Sequence, residues 1–138
     1  MMLTVKTNAQ TELIDITAPL ERTVAASGVR QGLCLVYVPH TTAGVTINEN
    51  ADPSVRADLL MVLNQMVPWK ADYRHGEGNS PAHAKATLVG ASQTIAVEDG
   101  RLVLGTWQGV YFCEFDGPRR RTVHVRILAG PFKEEAPR

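Results

Sequence analysis

The chain has few cysteines and no excess of charge of either sign, and each shortage argues against a class of protein. Its only two cysteines, Cys34 and Cys113, lie in apolar stretches without CxxC spacing. This pattern predicts two buried thiols rather than a disulfide framework or a cysteine-zinc site. The 14 basic residues balance the 14 acidic residues. The chain therefore lacks the net positive charge that general binding to nucleic acid or anionic membranes requires.

Long apolar runs are also missing. No stretch approaches the roughly 18 apolar residues of a membrane-spanning helix. Polar residues interrupt the first 17 positions, which differ from the apolar core of a signal peptide. We therefore expect a cytoplasmic protein with no membrane and no nucleic-acid partner. The length of 138 residues fits one domain over residues 1–138, which needs no disulfide or metal for stability.

Short apolar segments bounded by turn residues predict seven strands, at residues 3–6, 13–16, 33–38, 93–97, 101–104, 110–115 and 122–127. Helices are predicted from residue 18 to Gly28, with Thr17 as the cap, and from Pro53 to Pro68, with Asp52 as the cap. A shorter helix is predicted at residues 84–88. This order has no regular βαβ alternation and indicates an α+β fold.

Two features of the predicted elements concern burial. The helix from Pro53 should bury one face, formed by Val55, Leu59, Val62, Leu63 and Met66. The strand at residues 33–38 is continuously apolar, which is typical of burial on both faces. Two or three helices are too few to cover every such strand. We therefore expect one sheet face to pack on another subunit.

The segment 75–83, His-Gly-Glu-Gly-Asn-Ser-Pro-Ala-His, is the densest set of reactive groups. It holds two of the four histidines together with Glu77 and Asn79. Its spacing matches neither the His-Glu-x-x-His zinc motif nor that of the zinc deaminases. His75 and His83 are candidates for metal ligands, for a general acid and base, or for phosphate donors. The structural alternative is a hydrogen-bonded loop.

A second polar cluster begins where the strand at 33–38 ends. His40 is followed by the hydroxyls of Thr41 and Thr42, a combination that suits a phosphate or another oxyanion. A polar turn at the end of the strand is the alternative. Asn48 and Glu49 then precede the predicted helix N-terminus, which is itself a candidate anion site.

A third cluster lies in the C-terminal part of the chain. Trp107, beside Gln108, either packs or stacks on a substrate ring. Glu114 interrupts an apolar strand, and an inward carboxylate there must be paired or coordinated. The arginines at 119–121 are either solvated charges of an edge strand or a phosphate clamp.

These blocks together resemble the YjbQ family, also called UPF0047, in order and spacing over nearly the whole chain. The matching motifs are Pro-His-Thr-Thr at 39–42, Asn-Glu-Asn-x-Asp-Pro at 48–53, His-x-Glu-Gly-Asn-x-x-Ala-His at 75–83, Leu-Gly-Thr-Trp-Gln at 104–108 and Glu-x-Asp-Gly-Pro-Arg at 114–119. The resemblance implies an α+β fold of mostly antiparallel sheets that forms a homotrimer through those sheets. Ser80 and Ala96 depart from the family pattern, away from the polar positions.

The resemblance also implies a thiamine-phosphate-synthase-like activity, thought to be secondary. That reaction joins hydroxymethylpyrimidine diphosphate to a thiazole phosphate and releases pyrophosphate. We expect His40, His75, Glu77 and His83 to be catalytic, converging on one pocket that a subunit boundary completes. A larger set is expected to bind a small phosphorylated metabolite: Thr41, Thr42, Asn48, Glu49, Asn79, Trp107, Gln108, Glu114 and Arg119.

A divalent metal, Mg²⁺ or Zn²⁺, is the cofactor that this set suggests, with His40, His75 and His83 as its ligands. The alternative function uses the same residues without turnover. It is a binding module that recognises a phosphorylated metabolite or senses a metal.

Overall fold

Two antiparallel sheets form the framework of the protein, for which a computed structural model describes residues 1–130. The first sheet has five strands in the order β1-β8-β3-β5-β6, and the second has three in the order β2-β7-β4. The strands are β1 Met2–Lys6, β2 Glu12–Asp15, β3 Gly32–Tyr37, β4 Ala43–Glu49, β5 Ser92–Glu98, β6 Arg101–Leu102, β7 Gln108–Glu114 and β8 Arg120–Ala129. The helices are α1 Thr17–Ser27, α2 Pro53–Met66 and α3 Ser80–Val89. The predicted α+β class is confirmed.

The main core lies between the two sheets. Val36 and Val125 from the five-stranded sheet face Val45 and Phe112 from the three-stranded sheet, and all four are buried. Helix α1 adds Leu20 and Val24 to the same cluster. Each such side chain stabilises the fold by about 1.5–3 kcal/mol when it leaves water. This core therefore contributes strongly to holding the two sheets together.

The second face of the three-stranded sheet packs against helices α2 and α3. Tyr111 and Cys113 of β7 contact Ala82 and Ala86 of α3, and Leu60 of α2 packs on the same cluster. Because β7 is the central strand, its residues are buried on both faces from Gly109 to Glu114. The order of layers is five-stranded sheet, core, three-stranded sheet, and then helices α2 and α3.

The predicted buried face of α2 is wrong in part. Val62 and Met66 are 43% and 65% exposed, and Leu60, outside the predicted set, packs on the body instead. The cause is the position of α2, which lies outermost, so that its apolar packing on the body is confined to one stripe formed by Leu59, Leu60 and Leu63. The predicted cap is correct: Asp52 Oδ1 accepts hydrogen bonds from the backbone N–H of Ser54 at 2.9 Å.

One strand and two helix starts also differ from the prediction, strand β6 ends at Leu102 instead of residue 104, and β8 extends beyond residues 122–127 at both ends. Strand β4 was not predicted, because its second half is polar. Helix α3 begins at Ser80, so His83 lies on a helix rather than in a loop. Thr17 is the first helical residue and Ile16 occupies the cap position; the hydroxyl of Thr17 instead accepts the Val110 N–H at 2.9 Å.

The outer face of the five-stranded sheet is uncovered in the single chain. Met2, Tyr37 and Leu128 are 62%, 45% and 59% exposed on it. Strand β3 is therefore buried on its inner face alone, whereas its sequence predicted burial on both. Within residues 1–130, no helix has the length and apolar character needed to cross a bilayer.

Candidate functional site

One open cavity of about 490 Å³ brings together three segments that are distant in sequence. The connection after β3, the segment before and inside α3, and the start of β8 each contribute to its wall. The lining residues are Pro39, His40, Thr41, Thr42, His75, Glu77, Asn79, His83, Arg119 and Arg121. All four residues predicted to be catalytic are among them.

Close backbone packing brings α3, and with it His83, near the strand that follows Thr42. A Cβ atom at Gly44 of β4 would lie 2.5 Å from the carbonyl oxygen of Gly90, at the end of α3. Glycine is the residue that permits such an approach. The backbone N–H of Val45 donates to that same Gly90 carbonyl at 3.0 Å. The helix is therefore fixed against β4 at the level of the site.

His75 and His83 form a pair at the edge of the cavity. Their ring centroids are 5.6 Å apart and their planes are nearly perpendicular, at 87°. No hydrogen bond within residues 1–130 holds either ring, and Glu77 beside them is exposed. Imidazoles that no protein group occupies are available to a ligand.

His40 is held differently. Its Nε2 atom accepts the backbone N–H of Thr122 at 3.0 Å. In the neutral ring the proton is then on Nδ1. Burial, followed by the positive charge of Arg121, lowers the pKa of His40. The side chain is therefore a neutral N–H donor whose tautomer is set by strand β8.

Beneath the cavity lies a buried ion pair. Glu114 is fully buried, and the guanidinium Nε of Arg121 donates to its two carboxylate oxygens at 2.9 and 3.1 Å. The hydroxyl of Thr7 donates to Oε1 at 2.7 Å. Burial acts to raise the pKa of Glu114, but the hydrogen bonds from Arg121 and Thr7 outweigh it, so the pKa lies below its ordinary value.

The buried pair reaches the cavity through Arg121. Its Nη2 atom donates to the Thr42 hydroxyl at 2.9 Å and to the Thr42 carbonyl at 3.3 Å. Glu114 itself was predicted to bind substrate, but with no exposed surface it supports the cavity from beneath. Arg121 was considered from the sequence only as one of three arginines, either solvated or a phosphate clamp, and was not among the expected binding residues. Its position could have been found, since residue 121 shares the inward face of β8 with Val123 and Val125.

Asp116 links two other parts of the wall and was also missed as a site residue. Its Oδ2 atom accepts from Asn79 Nδ2 at 2.9 Å and from Arg119 Nη2 at 3.1 Å. The oxygen of the Asn79 carboxamide, Oδ1, is buried without a hydrogen-bond partner in the described chain. A buried acceptor of this kind costs free energy unless a donor or a cation reaches it.

Four predicted binding residues lie elsewhere. Glu49 pairs with Gln108 at one end of β4 and β7, whereas Ala43, next to Thr42, pairs with Glu114 at the other. At about 3.3 Å per residue the two ends are roughly 20 Å apart. Trp107 is 62% exposed at the far end. A single chain therefore does not bring this far-end group into the cavity: Asn48, Glu49, Trp107 and Gln108.

The two cysteines take no part in the site. Both are buried as predicted, and burial raises the pKa of Cys34 to about 11 and that of Cys113 to about 12. A thiol with such a pKa is protonated near neutral pH and is a poor nucleophile.

The three-histidine metal site meets an obstacle at His40. Its Nε2 lone pair is already occupied by the Thr122 N–H, and Nδ1 carries the proton. In residues 1–130, no group of three or more His, Cys, Asp or Glu side chains is arranged to hold a metal ion. As placed, these donors do not fit a three-histidine site, and metal binding stays a prediction.

Comparison with known proteins gives a consistent result. The family model described as UPF0047 protein YjbQ-like matches residues 1–130. The UPF0047 protein YugU of Bacillus subtilis is 53% identical over 127 residues, which cover 91% of this chain and 96% of that protein. A UPF0047 protein of Methanocaldococcus jannaschii is 53% identical over 124 residues, 90% of each chain.

Two solved structures have the same fold. An uncharacterised YjbQ/UPF0047 protein of Clostridium acetobutylicum superposes with a TM-score of 0.91 at 53% identity, covering 93% of this chain and 99% of that one. A YbjQ-like protein of unknown function from Sulfolobus solfataricus gives 0.90 at 36% identity, with 94% and 96% covered.

Proposed function

The chain belongs to the UPF0047 YjbQ-like family, and from that premise we propose that its cavity binds and converts a small phosphorylated metabolite. The observation that carries the proposal is the meeting of His40, His75, His83 and Arg119 around one cavity of about 490 Å³. Anionic oxygens are bound in proteins by N–H donors and guanidinium groups of this kind.

The reaction proposed is a thiamine-phosphate-synthase-like transfer. The thiazole nitrogen forms a bond to the methylene carbon of the pyrimidine, and the bond from that carbon to the diphosphate oxygen breaks. The electron pair leaves with pyrophosphate, so negative charge grows on the leaving group. Donors aimed at that charge lower the barrier. The fixed Nδ1–H of His40 and the guanidinium of Arg119 are suited to this role.

His75 and His83 act on the same leaving group. Each imidazole carries at least one N–H in either charge state, and their rings are only 5.6 Å apart. Both can therefore contact one diphosphate. Glu77, in the same wall, orients one of the two rings or accepts a proton.

The test is turnover of the two precursors, followed by release of pyrophosphate and formation of thiamine phosphate. We expect His75→Asn and His83→Asn to lower kcat about 10²–10⁴-fold, the usual contribution of acid–base groups. The matched control is Asp58→Asn, because Asp58 is exposed on α2 and does not line the cavity. Wild-type rates in both cavity variants, or equal losses in the control, would contradict the proposal.

A binding module without turnover is the second candidate, and one observation favours it. Asn79 Oδ1 is a buried acceptor with no partner in the described chain, and the rings of His75 and His83 are unoccupied beside it. Elemental analysis of the purified protein, together with the turnover assay, separates the two candidates. Stoichiometric Mg²⁺ or Zn²⁺ that survives dialysis, without measurable turnover, favours the module.

We propose a homotrimer in the cytoplasm as the working form. The exposed Met2, Tyr37 and Leu128 on one sheet face support association of subunits, since contiguous exposed apolar surface marks interfaces. The two free buried thiols suit a reducing compartment. A site completed across the interface would take Trp107 from a neighbour. Light scattering on the eluted protein tests this, and a stable monomer would contradict it.

A further inference from the structure

A second open cavity, of about 480 Å³, adjoins the first. Three of its lining residues are cationic: Lys6, Arg119 and Arg120. It is a groove lined by Thr4, Lys6, Thr7, Pro118, Arg119 and Arg120. Arg119 lines both cavities and therefore stands at their common boundary. No residue of this groove other than Arg119 was among the predicted site residues.

Two cations of the groove face each other. Lys6 of β1 and Arg120 of β8 are directly opposite in the antiparallel register, so their side chains point to the same side of the sheet. They lie at one end of its outer face, four residues along each strand from Met2 and His124, so the groove is at the margin of the face proposed for subunit association. Like charges at such positions destabilise a sheet. Within residues 1–130 the ion pairs are Arg30–Asp99, Arg119–Asp116 and Arg121–Glu114, which leave Lys6 and Arg120 without an acidic partner.

Protection of a sheet edge does not account for this arrangement. A lysine on an edge strand discourages strand pairing between molecules, and β1 is such a strand. Arg120 of β8 pairs with Lys6 of β1 and has no partner on β3, because β3 pairs with β8 only from His124 onward. Edge protection explains a charge at either position, but not two like charges placed directly opposite each other. The two opposed cations are instead stabilised when an anion binds between them.

We propose that this groove is a second phosphate-binding subsite. Resting on the function proposed above, it receives a phosphate group while the diphosphate occupies the cavity of the histidines, and Arg119 contacts both. The chemistry recognised is a phosphate dianion. Its source is either the acceptor substrate or a second anionic group on the diphosphate substrate.

Calorimetric titration of inorganic pyrophosphate and inorganic phosphate into the full-length protein tests the subsite. Lys6→Met combined with Arg120→Met should weaken phosphate binding about ten- to a hundredfold, since each charge-assisted hydrogen bond contributes about tenfold. The control combines Arg30→Met with Lys70→Met, which removes the same charge at exposed positions outside both cavities. Thermal unfolding checks that both double variants fold.

The outcomes separate this subsite from the proposed function. Equal affinity in the groove and control variants overturns the subsite and leaves the histidine cavity intact. If His75→Asn with His83→Asn retains phosphate binding while losing turnover, both proposals stand. If turnover survives the loss of both histidines, the proposed function is contradicted. The subsite is still supported in that case if the groove variant, but not the control variant, loses affinity for phosphate. The KM values of the Lys6→Met and Arg120→Met double variant identify the source of the phosphate. A raised KM for the thiazole phosphate identifies the acceptor substrate. A raised KM for the diphosphate substrate identifies a second anionic group on that substrate.

Discussion

The floor and the rim of the histidine cavity contain similar polar side chains in opposite physical states. The floor consists of Thr7, Thr42, Glu114 and Arg121, all buried, and the Glu114 carboxylate and the Nε and Nη2 atoms of Arg121 are hydrogen-bonded to protein. The rim consists of His75, Glu77 and His83, which are exposed or half-buried and hold no such bonds within residues 1–130. The polar groups of the floor are used in bonds that stabilise the fold, whereas the side chains of the rim are available to a ligand.

This difference separates residues that position the site from residues that can react. A carboxylate such as Glu114 has the chemistry of a general base, but its lone pairs are used by Arg121, Thr7 and backbone N–H groups. Burial of a titratable group is therefore not evidence of catalysis here. Replacing a floor residue should therefore lower the unfolding free energy more than replacing a rim residue.

The largest expected effect is loss of the floor. Glu114→Ala leaves Arg121 buried without its counter-ion, and removing one partner of a buried ion pair costs about 3–5 kcal/mol of unfolding free energy. Chemical denaturation at pH 7 measures it. Glu77→Ala in the rim is the matched control, with an expected change of about 0.5 kcal/mol or less. Equal losses in the two variants would erase the distinction between floor and rim.

The second largest effect is expected at acid pH, where the contribution of Glu114 to the unfolding free energy should decrease. The pKa of Glu114 in the folded state lies below its ordinary value of 4.5, so its contribution is fully present above that pH. The contribution is lost as pH falls through the lower folded pKa, because protonation removes the charge that Arg121 binds. The stability difference between wild type and Glu114→Gln should be constant from pH 7 to 4.5 and shrink below. A difference that shrinks already between pH 7 and 5 would contradict this assignment.

The smallest effect on stability is expected in the rim. His75→Ala and His83→Ala remove rings that contact little protein, so the unfolding free energy should change by about 0.5 kcal/mol or less. Ligand binding or turnover should be lost in the same variants. Denaturation and calorimetry on the same preparations check both expectations. Unfolding of both variants would show that the pair is structural.

The sequence predicted the framework well because apolar periodicity reports burial directly. Seven of the strands, the three helices and the inward carboxylate of Glu114 follow from local pattern, turn residues and the cost of burying charge. Strand β4 was missed because Thr46, Asn48 and Glu49 break its apolar pattern. Its pairing with β7 is a long-range effect that no local pattern contains.

The site was predicted as a set of residues but not as an arrangement. Local pattern placed His75 and His83 near each other, and the structure adds His40, Thr42 and Arg119 from distant segments. The sequence could not show that Trp107 and Glu49 lie far from that group. Their distance from the cavity depends on the direction in which β4 and β7 run. The partner of Glu114 was missed for the same reason, since it lies on another strand.

Three consecutive residues of strand β8 have different structural roles. Arg120 faces the groove, Arg121 binds Glu114 inside, and the Thr122 backbone holds His40. A one-residue slip of β8 against its neighbours would turn Arg120 inward and Arg121 outward, and both proposed anion sites would be lost together. Misfolded molecules with that slip would be inactive rather than partly active. The fraction of molecules that bind phosphate therefore measures the fraction that has folded correctly.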